Sequence, residues 1–399
     1  MKFASGVSDS VQLLRAVDEA CRQVLDQLAG APCHLALFFA SPMYRLRWAE
    51  ALAALNTQLT PSVLIGCSAG GVIGGDHEFE GVPAVSIVAA SLPGVRLASF
   101  TVSPEVLERS SPGGFWIDTV GIPPAERPIL LLLADLFTAE PPRLIGELNQ
   151  TFPNCPMIGG LVSGGERTGD HLLFCDTQIL SEGAVGLAMT GNVHMETIIS
   201  QGCRPIGRPM IITKAEENIV WELGGRQAIE VLREVLIGLS LAEQELAQRA
   251  IFAGLVINEM KAAFRSGDFL IRDLVGIDPP SGAIAVSDDV QVGQTMQFQL
   301  RDPGASRQEL RRLMAERSAE LHTTPPAGAL LFNCVGRGKS FYGVSHHDMR
   351  TIRTFSGKLP VGGFFSNGEI GPVGGTNFLH GYTASLGLFR PAVRPVPCI

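Results

Sequence analysis

The chain has 399 residues, 46% hydrophobic and 18% charged, with 45 glycines and a formal net charge of −8. That length buries a large core and accommodates more than one domain. The acidic balance, with no Lys/Arg cluster interleaved with aromatics, argues against nucleic-acid binding, and no apolar run approaches the roughly 18 residues of a membrane span.

The first ten residues, MKFASGVSDS, lack the apolar centre of a secretory signal, so the expected compartment is the cytoplasm, without membrane insertion. Eight cysteines (Cys21, Cys33, Cys67, Cys155, Cys175, Cys203, Cys334, Cys398) are scattered without CxxC spacing, which suits buried, reduced thiols rather than disulfides or a zinc knuckle. No motif calls for a cofactor or a metal.

In chain order, Ser8 or Ser10 is placed to cap a first helix on which Leu14, Val17, Cys21, Val24 and Leu28 recur at helical spacing, and Gly30 and Pro32 end it. An apolar strand at 35–40 (LALFFA), a helix at 46–59 and a strand at 63–65 lead into the loop GCSAGGVIGG. Residues 76–81 (DHEFEG) read as an exposed polar tip, 82–90 and 95–102 as strands, and 110–128 as an irregular connection. The pattern returns with a strand at 129–134 (ILLLLA), a helix at 143–151, the loop MIGGLVSGG at 157–165 and return strands at 172–175 and 184–189.

A different texture follows. Residues 193–200 and 209–214 look extended around a Gly/Pro corner at 202–207, and the composition shifts at 216–225. Helices are expected from near Arg226 and over 241–249, then meander strands at 269–275, 283–286 and 294–300. Ser306 with Glu309 has the spacing of a capping box. The third copy has a strand at 329–334 (ALLFNC), a helix at 347–355, the loop PVGGFFSNGEIG at 360–371 and a final strand at 382–389. Each copy has the length of a strand, a crossover helix and a parallel strand. Aligned on the loops, Ser68, Ser163 and Ser366 fall together, each followed two residues later by Gly70, Gly165 or Gly368.

Gly66-Cys67-Ser68-Ala69-Gly70 matches the GxSxG turn that presents a nucleophilic serine, but glycines follow where a helix is required. Cys67 has no base assignable from spacing. Gly338-Lys339-Ser340 resembles part of a phosphate loop, with Asn333 where the leading glycine belongs, so Arg337 and Lys339 read as solvated loop residues. Asp76, His77 and Glu78, and again His346, His347 and Asp348, lack a helical zinc pair and read as surface polar residues and a helix start.

What remains is the loops acting together, since glycine lets a ligand approach the main chain and exposed N–H groups hold carboxylates. The candidate ligand-binding residues are Gly66, Cys67, Ser68, Gly70, Ser163, Gly164, Phe365, Ser366, Asn367 and Glu369, with Glu369 as partner for an amino group; none is assigned a catalytic role. Two alternatives stand beside this: a hydrolase or transferase using Ser68 or Cys67, and a structural adaptor without ligand.

SQGCRPIG at 200–207, the following IITKAEENIVWELGGRQA, FFSNGEIGP and LHGYTASLGL resemble the FIST family, as do GCSAGGVIG and MIGGLVSGG in the first half. The resemblance spans roughly 33–389. It implies an N-terminal helix at 1–32, a FIST N-terminal domain at 33–217, a FIST C-terminal domain at 218–389 and a tail at 390–399. The expected fold is α/β, two related halves with repeated βαβ units and Gly-rich loops, in mixed sheets flanked by helices. The implied function is a bacterial sensory module of signal transduction that binds a small molecule, with amino acids among the suggested ligands. The short ends leave no room for an output domain, so a separate signalling protein is the expected partner.

Overall fold

Three glycines fix how the parallel strands meet. In the computed structural model, which describes residues 1–392, Gly66, Gly159 and Gly363 lie opposite Phe38, Leu132 and Leu331 of the preceding parallel strand. A Cβ on these glycines would sit 1.9, 1.9 and 1.8 Å from the facing carbonyl oxygens, a distance no side chain tolerates.

Each glycine sits in a longer repeat. The first comprises β1 (Lys2–Ser8), α1 (Leu13–Leu28), β2 (Leu35–Ala40), α2 (Trp48–Leu59), β3 (Val63–Ser68), a hairpin of β4 (Gly71–Gly74) and β5 (His77–Glu80), and β6 (Val85–Ser91). The second comprises β7 (Val95–Val102), α3 (Pro104–Glu108), α4 (Gly114–Val120), β8 (Ile129–Ala134), α5 (Pro141–Thr151), β9 (Met157–Leu161), the hairpin β10 (Leu173–Cys175) and β11 (Gln178–Leu180), and β12 (Ala184–Gly191). The third begins at β13 (His194–Ser200) and is then interrupted.

The interruption is a compact unit of its own, Ser200–Leu313 with His380–Tyr382. It contains β14 (Cys203–Pro205), β15 (Met210–Glu216), β16 (Ile219–Leu223), β17 (Arg226–Gln227), α6 (Ala228–Ile237), α7 (Leu241–Ala250), β18 (Ile251–Val256), β19 (Phe269–Asp278), β20 (Ala283–Val286), β21 (Thr295–Arg301) and the start of α8 (Pro303–Glu316). Its strands close antiparallel in the order β21-β15-β16-β20-β19-β18 and back to β21. Closure removes the free edges that a meander leaves open. Val231 and Leu232 of α6 share its core with Leu223, Ile284, Val286 and Phe298.

The third repeat resumes with α9 (Ser318–Thr323), β22 (Gly328–Cys334), α10 (Lys339–Tyr342), α11 (His347–Ser356), β23 (Val361–Ser366), the hairpin β24 (Glu369–Val373) and β25 (Thr376–His380), and β26 (Ala384–Arg390). All three βαβ pairs, parallel as expected, therefore belong to the other compact unit, Met1–Ile199 with Met314–Leu379 and the chain from Thr383.

Within that unit the three sheets have one plan: β1-β6-β2-β3-β10-β11, β7-β12-β8-β9-β24-β25 and β13-β26-β22-β23-β4-β5. Every hairpin leaves its own repeat and completes the sheet of another, so the three repeats are interlocked in a ring. The inner faces share one core, with Phe39, Leu131, Leu133, Ile158, Phe332 and Phe364 in contact, while α1 and α2 cover the outer face of the first sheet and α4 and α5 that of the second. A sheet buried on both faces needs unbroken apolar strands, which is why LALFFA and ILLLLA carry no polar residue. The protein is thus mixed α/β, with mixed sheets flanked by helices.

Several local expectations change. The N-terminus is strand β1, and α1 begins after Gln12 without a side-chain cap, so neither Ser8 nor Ser10 caps it. Residues 76–81 carry strand β5, with Asp76, His77 and Gly81 exposed as expected but Glu78 buried, and α4 occupies part of 110–128. Ser306 lies inside α8; Asp302 Oδ1 accepts from the amides of Gly304 and Ala305 at 2.6 and 3.2 Å, whereas Glu309 accepts from Ser200 Oγ and Gly202 N at 3.1 and 3.0 Å. The seven described cysteines are buried free thiols, as expected; the tail from residue 393, with Cys398, lies outside the described residues.

Candidate functional site

Counting from the three glycines places the loop residues in structural register. Ser68 then matches Leu161 and Phe365, two residues on, and Ser163 matches Gly70 and Asn367, four residues on. The serines are therefore not equivalent to one another, because the sterically forced glycine, not the hydroxyl, marks the repeat. The second loop is also longer: β10 starts only at Leu173, whereas β4 starts at Gly71 and β24 at Glu369.

The loops nonetheless converge. Ser163 Oγ accepts from Gly70 N at 2.9 Å and donates to the carbonyl of Phe365, tying all three loops together. Asn367 adds two bonds to the second loop, N to Leu161 O and Nδ2 to Val162 O, both 3.1 Å. Ser68 exchanges bonds with Leu172: its amide donates to the carbonyl at 2.8 Å and its Oγ accepts from the amide at 2.9 Å. Ser366 Oγ donates to Glu369 Oε1 at 2.7 Å, and Glu369 Oε2 accepts from Thr383 N at 3.0 Å.

Burial sorts the ten candidates. Gly66, Cys67, Ser68, Ser163, Phe365, Ser366 and Glu369 are buried, Gly70 is half-buried, and Gly164 and Asn367 are exposed. Both carboxylate oxygens of Glu369 are engaged within the protein, so the anticipated pairing with an amino group is not how this side chain is used. Full burial pushes the Cys67 thiol well above its ordinary range. A reactive thiol needs the reverse.

Sequence reasoning missed the Asp135–His171 pair beside the second loop. His171 Nδ1 lies 2.6 Å from Asp135 Oδ1, while its Nε2 accepts from Gly165 N at 3.2 Å, which places the proton on Nδ1. Thr138 donates to the other Asp135 oxygen, and Phe137 stacks on the imidazole. Burial raises the Asp135 carboxyl, but the His171 and Thr138 hydrogen bonds outweigh it and hold it below its usual range. With both ring nitrogens committed, His171 is not free to take a proton from Ser163, whose hydroxyl points at Phe365 O. The pair braces the loop. Its signal was an aspartate directly after the apolar strand.

The two polar triplets that read as unrelated surface groups also meet, because the β4–β5 hairpin joins the third sheet beside α11. Glu78 N donates to His346 Nδ1 at 2.9 Å, and Met349 N donates to Glu78 Oε1 at 2.8 Å. Arg337, expected in solvent, is buried against Asp348 at 3.1 Å, and His347 lies 2.8 Å from the same carboxylate. Burial, then the Asp348 charge, raises the Glu78 carboxyl to about 8, while Arg337 and His347 overcome burial to hold Asp348 low. Where a phosphate loop would cradle its anion, Glu80 already sits, accepting from Lys339 N at 2.9 and 3.1 Å. Among the described residues no three His, Cys, Asp or Glu side chains form a metal set.

Interlocked α/β repeats whose serines serve neighbouring loops, with a barrel inserted in the sequence of the third repeat, define a loop-centred domain in which Ser163, His171 and Asp135 are not assembled as a relay. The chain belongs to the FIST family: residues 34–226 match the FIST N domain and residues 228–372 the FIST C domain. An uncharacterized protein of Mycobacterium tuberculosis is 41% identical over 389 residues, covering 98% of this chain and 100% of its own. An uncharacterized protein of Mycobacterium bovis is likewise 41% identical over 389 residues, covering 98% of this chain and 99% of its own. FIST domains are sensory, ligand-binding domains of signal transduction and a non-enzymatic domain type. Among the described residues no helix is long and apolar enough to cross a membrane.

Proposed function

We propose that the protein is a cytoplasmic small-ligand sensor of a bacterial signalling system and that its ligand, an amino acid or related metabolite, binds where the three loops converge. One observation carries this: the Ser163 hydroxyl joins Gly70 of the first loop to Phe365 of the third. Any group seated on one loop therefore acts on strands of all three sheets. In this reading the accessible Gly70, Gly164 and Asn367 touch the ligand. Gly66, Cys67, Ser68, Ser163, Phe365, Ser366 and Glu369 hold the loops in place behind them, and a separate signalling protein receives the output.

Thermal shift of the full chain against a panel of amino acids and related metabolites tests the reading. With a ligand at a hundredfold its Kd, linkage adds roughly 2.7 kcal/mol of stability. The shift is expected to shrink in Asn367→Ala, whose side chain is exposed. A full panel without response, or an unchanged response in Asn367→Ala, overturns it.

A further inference from the structure

A second concavity lies in the same compact unit, away from the three loops. Between the turn joining β4 to β5 and one face of α11 lies a cleft of about 550 Å³, lined by Asp76, His77, His346, Arg350, Arg353 and Thr354. Positions 346, 350, 353 and 354 follow helical spacing, so α11 presents them as one row. A neighbouring cavity of about 720 Å³ shares Asp76, His77 and Arg353 and adds Lys358.

The cleft is rich in donors. His346 Nδ1 accepts the Glu78 amide at 2.9 Å, so the neutral ring carries its proton on Nε2. Burial, then the neighbouring His77 and Arg350, holds His346 below the usual histidine range, which keeps that tautomer in place at neutral pH. Among the described residues no carboxylate lies within ion-pair distance of Arg350, and Arg350 is exposed. Arg353 pairs with Asp76, the one acid of the lining. The frame is fixed from behind by the Met349 amide on the Glu78 carboxyl at 2.8 Å.

We infer that this cleft binds a phosphate group, free or as the monoester of a small metabolite. Two guanidiniums and an imidazole N–H reaching in from separate positions suit a tetrahedral anion with several acceptor oxygens better than a planar carboxylate, which a single arginine satisfies. Asp76 is the internal competitor: phosphate takes Arg353 from it. The site stands apart from the loop centre and does not depend on the reading proposed there.

Calorimetric titration of the full chain with inorganic phosphate and with glycerol phosphate, each against chloride at equal ionic strength, tests the inference. Saturable one-to-one binding is expected. Arg350→Gln weakens it about tenfold or more and Asp76→Asn tightens it several-fold, since each removes one charge that phosphate feels directly. Both substitutions are on accessible side chains, and their unliganded melting temperatures should stay at the wild-type value. Preference for glycerol phosphate assigns the site to a phosphorylated metabolite, and preference for the inorganic ion to free phosphate. Absence of saturable binding of either, or equal affinity in wild type and Arg350→Gln, overturns it.

Discussion

The Ser163 hydroxyl accepts a hydrogen bond from the Gly70 amide at 2.9 Å although 93 positions separate the two residues. The same hydroxyl donates to Phe365 O, so the one polar atom of this side chain serves both partners at full burial. Ser163→Ala leaves the Gly70 amide and the Phe365 carbonyl without this partner. Its expected cost is about 1–3 kcal/mol, measured as a shift of the urea midpoint without change of slope. A variant as stable as wild type would mean that the loops are not joined through this oxygen.

The repeat itself is testable through its glycines. Alanine at Gly66, Gly159 or Gly363 places a methyl group within 1.9 Å of a main-chain oxygen of the adjacent strand, and backbone cannot step aside in a sheet buried on both faces. Each of the three substitutions is expected to abolish soluble folded protein. Gly146 in α5 is the control: a Cβ there meets nothing within 4 Å, so Gly146→Ala should be neutral or stabilising by about 0.5–1 kcal/mol. A folded Gly159→Ala protein of normal melting temperature would contradict the close approach.

These glycines also explain what the sequence conveyed. The strands β2 and β8 stand out because burial on both faces removes polar residues from them, β22 keeps only Asn333, and the helix that follows β2 or β8 has its own period. Strand β1 escaped notice because its small residues (KFASGVS) carry little alternation. Serines were the visible marks in the loops, yet the constraint acts on Gly66, Gly159 and Gly363, and counted from these Ser163 stands two places further on than Ser68. The exchange of hairpins is invisible locally, since periodicity reveals a strand and not its partner. Glu78 reads as surface for the same reason, since the exchange brings it to the Met349 amide, whereas Arg337 and Asp348 are buried as a pair within the third repeat, which spacing alone does not reveal.

Cys67 provides a sharp contrast between a binding loop and a nucleophilic one. It is fully buried, and its thiol is held well above the ordinary range by that burial. Iodoacetamide applied to the native protein should leave Cys67 unmodified in peptide mass spectra, with labelling appearing only at the denaturant concentrations that unfold the chain. Rapid native labelling would revive a catalytic role for the GxSxG-like turn.

Glu78 gives the protein a pH dependence of unusual sign for a carboxylate. Burial and the Asp348 charge raise it from 4.5 to about 8 when folded, so between those values the folded state binds a proton that the unfolded chain has released. Stability from this group is complete below about pH 4.5 and is lost as pH rises toward 8. Other groups facing it act mainly elsewhere: Asp348, held low, changes stability around and below its ordinary 3.8, and His346, held below 6.5, opposes Glu78 until the unfolded imidazole has lost its proton, about one pH unit above 6.5. From about pH 7 to 8 the slope among these groups is set mainly by Glu78, at a loss of about 1 kcal/mol per pH unit in urea unfolding. Glu78→Gln keeps an oxygen for the Met349 amide but cannot ionise, and its stability should be level across that interval. An equal slope in wild type and Glu78→Gln would place the titrating group elsewhere.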